Sequence, residues 1–96
     1  MTKLTETEIQ TSLEGLGEWS EESGAIQRTF EFADFLGSIR FVNQIADEAE
    51  ARQHHPDILI RYNRVMLTLS THDAGGITPK DFALAEFAEG LIAQGV

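Results

Sequence analysis

The stretch PDILIRYNRVMLTLSTH, residues 56–72, decides the fold. Ile58, Ile60 and Tyr62 alternate with Leu59 and Arg61. After a turn at Asn63-Arg64, Val65, Leu67 and Leu69 alternate with Met66, Thr68 and Ser70. Successive strand side chains point to opposite faces, so two alternating runs joined by a short polar step read as an antiparallel hairpin. By the same alternation His72 points with Thr68 and Ser70, away from the Val65/Leu67/Leu69 face. Pro56 marks the end of whatever precedes it, because the residue before a proline is pushed out of the α region.

Working upstream, Asp34 can cap a long helix running to about Gln53. Phe35, Ile39, Val42, Ala46 and Ala49 form its core stripe. Phe41 and Ile45 widen the apolar arc, which hints at burial against a second partner. Before it lies another period-two region: Trp19 in a short strand, a Ser23-Gly24 turn, then Ile26, Phe30 and Phe32 on one face with Gln27, Thr29 and Glu31 on the other. Thr5-Glu6-Thr7-Glu8 is a capping box, with Leu4 and Ile9 as a hydrophobic staple, so a helix spans about residues 5–14 and stops at Gly15 and Gly17. Downstream, Gly75-Gly76 form an exit loop, and Thr78 caps a last helix with Pro79 at its first position. Phe82, Leu84, Phe87, Ala88 and Leu91 cover its apolar side. The order α-β-β-α-β-β-α predicts an α+β two-layer sandwich, a four-stranded antiparallel sheet with three helices on one face.

Ninety-six residues suit one domain, 1–96, of a size that gains from association. The chain has no cysteine, which excludes disulfides, thiolate nucleophiles and cysteine-ligated zinc. No apolar run is long enough to span a bilayer, and the N-terminus lacks a basic-then-apolar signal, so the expected location is cytoplasmic. A net charge of −9 with no Lys/Arg cluster disfavours direct nucleic-acid binding.

The candidate chemistry lies in three histidines, His54, His55 and His72. Glu50 stands four residues before His54, within pairing distance if the helix reaches that far. A carboxylate beside an imidazole favours its charged form and fixes its orientation, both useful in acid/base catalysis. The junction after the long helix and the end of the hairpin can share a pocket; equally, the histidines can be solvated loop residues. Three histidines with Glu50 or Asp81 could supply zinc ligands, but no His-x-x-x-His pair is present and adjacent histidines diverge in extended backbone. Asp81 holds the capping-box position after Thr78, a structural role in its own right. Tyr62 reads as a core or pocket-wall aromatic. Ser70 has neither a local base nor a nucleophile elbow.

Glu50-x3-His54-His55-Pro56-x5-Tyr62-x9-His72-x8-Asp81 resembles the signature of the pterin-4a-carbinolamine dehydratase (4a-hydroxytetrahydrobiopterin dehydratase) family. The Trp19 region, Phe30-x-Phe32-x-Asp34-Phe35 and Leu69-Ser70-Thr71-His72 resemble it too, so the likeness covers essentially the whole chain. One departure is Ile58, where many members carry tryptophan, and it bears on the pocket wall. The resemblance implies a hydro-lyase of tetrahydropterin recycling, which releases water from a 4a-hydroxytetrahydropterin to give quinonoid dihydropterin. Hydroxide leaves poorly, so the oxygen needs a proton while the ring loses one; imidazoles with pKa about 6.5 can do both. It implies His54 and His72 as the acid/base pair and His55 as a pterin-binding residue with possible help in catalysis. Glu50 would tune His54, backbone groups near Ser70 and Thr71 would bind the pterin's amide-like edge, and Asp81 would complete the site. It implies no metal or cofactor, and a homodimer or homotetramer whose interface accounts for Phe41 and Ile45. An alternative is a partner-binding role on the same fold, as a transcriptional coactivator or an assembly factor; assembly-type relatives tend to lose the histidines that this chain retains.

Overall fold

The computed structural model describes residues 2–96. Its elements are α1 (Glu6–Glu14), β1 (Ser20–Glu22), β2 (Ala25–Glu31), α2 (Phe35–Arg52), β3 (Asp57–Arg61), β4 (Arg64–Leu69), a 3₁₀ turn (His72–Ala74) and α3 (Pro79–Ala93). The strands form one antiparallel sheet in the order β1-β2-β4-β3. One sheet face and the inner sides of the three helices share a single core, which is the expected α+β architecture.

Local chemistry accounts for the boundaries. Thr5 accepts from the Glu8 backbone N–H while Glu8 Oε1 accepts from the Thr5 N–H, so the first capping box is complete. Asp34 Oδ1 accepts from Gly37 N at 2.8 Å and opens α2. Ser23 and Gly24 have φ of 49° and 81°, the paired left-handed geometry of a two-residue hairpin turn. Across the sheet, Ile26 faces Leu69, Phe30 faces Val65, and Ile58 and Ile60 face Leu67 and Val65. These side chains line the core, where Phe41 packs on Phe30 and Phe32 with ring centroids 4.7 and 5.1 Å apart. Burying a phenylalanine of this kind stabilises by about 2–3 kcal/mol.

Three details differ from the sequence reading, and the stop of α2 has a local cause besides Pro56. The β3–β4 turn is Tyr62-Asn63, one residue earlier than expected, with Arg61 opposite Arg64 and Tyr62 at φ 53°. Tyr62 is therefore an exposed turn residue rather than a core or pocket aromatic, and Ser38 Oγ donates to its carbonyl. The core stripe of α2 is Phe41, Ile45 and Ala49 with Val42 at its margin, whereas Phe35 and Ala46 are exposed. Phe41 and Ile45 are thus fully covered within one chain, so they leave nothing for a partner to bury. α2 ends before Pro56: Gln53 adopts φ 52°, ψ 42°, and the His54 N–H bonds back to Ala49 O at 3.0 Å. Finally, β4 ends at Leu69 and His72 begins a 3₁₀ turn, although the in–out alternation holds through His72: Thr71 is buried with Leu69, while Ser70 and His72 are exposed.

Two long-range ties close the structure. Leu4 N donates to Ile77 O at 2.7 Å, and the Lys3 side chain lies over Gly76 so closely that a Cβ there would meet it at 3.0 Å. Trp19 Nε1 and Arg28 both donate to Glu89, joining the first hairpin to α3. Ala46 and Ala49 give a direct check of the corrected stripe. Ala49→Glu is expected to cost at least about 3 kcal/mol in chemical denaturation, because it places a charge in the core. Ala46→Glu should stay within about 0.5 kcal/mol.

Candidate active site

The centre of the site is Asp81, whose side chain has no solvent exposure. Its Oδ2 accepts from the Thr78 backbone N–H and from the Thr71 hydroxyl, both at 2.9 Å. Its Oδ1 lies 2.6 Å from His54 Nε2. Since the Thr71 hydroxyl donates to Asp81, it accepts from the Thr78 hydroxyl at 2.7 Å, which in turn accepts from the Lys80 N–H. Every donor in this chain points toward the carboxylate. A buried carboxylate is stable only when its lone pairs are satisfied in this way.

The carboxylate also sets the form of His54. An ionised Asp81 is an acceptor only, so His54 Nε2 carries the hydrogen. Nδ1 has no hydrogen-bond partner among the described residues. Among them Arg28 Nε is the single buried unpartnered side-chain nitrogen or oxygen, so Nδ1 reaches solvent. His54 is thus a mostly buried imidazole that holds a proton inward and offers a lone pair outward.

His54, His55, Ser70, Thr71 and His72 line one open cleft of about 270 Å³, with Gln53, Asp73 and Lys80. The left-handed turn at Gln53 brings the histidines from the end of α2 beside the end of β4. It also changes the carboxylate pairing expected from sequence. Glu50 meets His55, Oε1 to Nε2 at 2.8 Å, and not His54, whose partner is Asp81. Thr71 contributes from behind: its hydroxyl serves Asp81, its N–H bonds Gly76 O, and its carbonyl accepts from Ala74. Ser70 and His72 are exposed at the strand end. Ile58 lies on the core side of β3 and does not line the cleft. Lys80 escaped the sequence reading, since a lone lysine in a helix's first turn gives no signal until the fold places it beside His54. No three His, Cys, Asp or Glu side chains among the described residues are gathered to hold a metal ion.

The hydrogen bond and charge of His55 hold the Glu50 carboxyl below its ordinary range. A carboxylate lowered in the folded state adds stability above its unfolded pKa and loses it as pH falls through the folded value. Both partners are exposed, so the effect is local. In a carboxyl-detected NMR titration, the Glu50 midpoint is expected to rise toward the ordinary range in His55→Gln; an unmoved midpoint refutes the pairing.

The chain matches the family model described as "Pterin 4 alpha carbinolamine dehydratase" over residues 2–91. A protein from Picosynechococcus sp. is 55% identical over 84 residues, covering 88% of this chain and 91% of its own, and bears the provisional name pterin-4-alpha-carbinolamine dehydratase. A similarly named protein from Acidobacterium capsulatum is 49% identical over 92 residues, covering 96% of this chain and 100% of its own. A crystal structure from Brucella melitensis, described as a transcriptional coactivator/pterin dehydratase, superposes with a TM-score of 0.90 at 37% identity, covering 93% of this chain and 97% of that one. With the matched residues spanning the whole fold and the histidine cleft, the chain belongs to the pterin-4-alpha-carbinolamine dehydratase family.

Proposed function

We propose that this chain dehydrates a 4a-hydroxytetrahydropterin to the quinonoid dihydropterin and water by histidine acid/base catalysis. The observation that carries this reading is the Asp81-held His54 opening into the same cleft as His55 and His72. His54, with its lone pair at Nδ1, is suited to take the proton that the pterin ring loses. Asp81 stabilises the imidazolium so formed, as a buried carboxylate does behind any catalytic histidine. His72, exposed in the same cleft, is suited to deliver a proton to the C4a oxygen, so that the C–O bond breaks with water as the leaving group. His55, fixed by Glu50, contacts the pterin and supports the proton transfers. Backbone at Ser70 is the candidate partner for the amide-like edge, while Thr71 acts through Asp81. No metal or redox group enters the scheme. A cleft that keeps all three histidines supports the enzyme over a purely partner-binding role.

We also propose a homo-oligomer, a dimer or tetramer. The surface it would cover is not the Phe41/Ile45 side of α2 but the uncovered start of that helix, where Phe35 is 46% and Leu36 62% exposed. The Ser38–Tyr62 bond brings the exposed Tyr62 to the same end. Contiguous apolar surface of this kind marks interaction sites.

Two measurements test these readings. With 4a-hydroxytetrahydropterin generated in situ, the protein should accelerate water loss, and His54→Ala or His72→Ala should each remove about 10²-fold or more of the rate; no acceleration over buffer rejects the enzyme. In light scattering coupled to gel filtration, the wild-type mass should be that of two or four chains, and Leu36→Glu should lower it; a wild-type monomer refutes the oligomer.

A further inference from the structure

Beside the histidine cleft lies a second opening of about 290 Å³, bounded by Arg52, His54, Lys80 and Ala83. It shares His54 and Lys80 with the first, so the two openings are neighbours at the imidazole. Its charge is unusual for this molecule. The chain carries sixteen acidic residues against seven basic ones, yet two cations and no carboxylate line this annex. Asp73 lines the histidine cleft but not the annex.

Of the two cations, Lys80 is the one the fold does not explain. Lys80 is the second residue of α3, where the helix macrodipole disfavours positive charge, and it forms no ion pair among the described residues. Arg52 is steadied by Glu48, which takes its Nε at 2.7 Å, and by the Phe87 ring, 5.7 Å from its guanidinium carbon. Its terminal nitrogens carry no hydrogen-bond partner among the described residues, so they keep donors free.

We infer that the annex receives an anionic substituent on the pterin, a phosphate or carboxylate, held between Arg52 and Lys80 while the ring lies against the histidines. This deepens the dehydratase reading and rests on it: the preferred substrate class becomes 4a-hydroxytetrahydropterins with a negatively charged side chain, rather than those with a neutral one. The arrangement suits an anion because cations lining one opening can give charge-assisted hydrogen bonds that a neutral hydroxyl cannot match.

Calorimetric titration of the full chain with 6-hydroxymethyl-7,8-dihydropterin, its phosphate ester and the 6-carboxy counterpart separates the possibilities. The readout is the ratio of dissociation constants for charged and neutral ligand on the same protein, in which any general loss of binding cancels. At low ionic strength the wild type should favour at least one charged ligand by about tenfold, from two partly exposed contacts. The arm that shows the preference identifies the anion. Lys80→Gln should reduce the ratio, and Arg52→Gln with Lys80→Gln should bring it near one. Equal binding of neutral and charged ligands overturns the inference while leaving the dehydratase reading intact, as does a preference that survives in the double variant. Failure of all three pterins to bind overturns the pterin reading itself, and this inference with it.

Discussion

Three separate parts of the chain meet at the Asp81 carboxylate, and the rest of the site depends on that meeting. Taking a carboxylate out of water costs several kcal/mol unless its oxygens are satisfied. Here the donors come from the turn after α2, the loop after β4 and the cap of α3. Losing any one leaves a buried acceptor short, so the three segments are held together more tightly than their few apolar contacts would require. The same bonds fix the ring of His54. The capping role of Asp81 and its role in the site are one arrangement, since each oxygen serves a different purpose.

Alternation in the strands, the two capping boxes and the proline at the head of α3 made the element order legible, because each is a short-range effect encoded in adjacent residues. The three histidines and Asp81 were legible as a group only through the likeness of their spacing to a family signature, since the residues alone left solvated loop histidines and a purely structural cap open. The pairing within the group was not. An i,i+4 rule joins Glu50 to His54 only while the helix continues, and the left-handed residue that stops it is Gln53, a type with no particular preference for that conformation. Glycine or asparagine there would have announced the turn.

The stripe of α2 was misread for a related reason. Residues of both candidate stripes are apolar, and periodicity alone cannot say which is inward when the arc exceeds one face. The neighbours decide it: Phe30 and Phe32 present rings at the level of Phe41. The contacts made by Glu89, with Trp19 and Arg28, were beyond any local signal because about sixty to seventy residues separate the partners.

The strap from Leu4 to Ile77 bears on how the cleft is held together. Leu4 and its partner lie far apart along the chain. The strap rests against Gly76, whose carbonyl holds Thr71, whose hydroxyl holds Asp81. The Leu4 segment therefore backs the loop bearing His72. Closing a loop of that length is an entropic expense repaid only when the sheet already stands. Strap, loop and buried carboxylate should thus form as one cooperative unit.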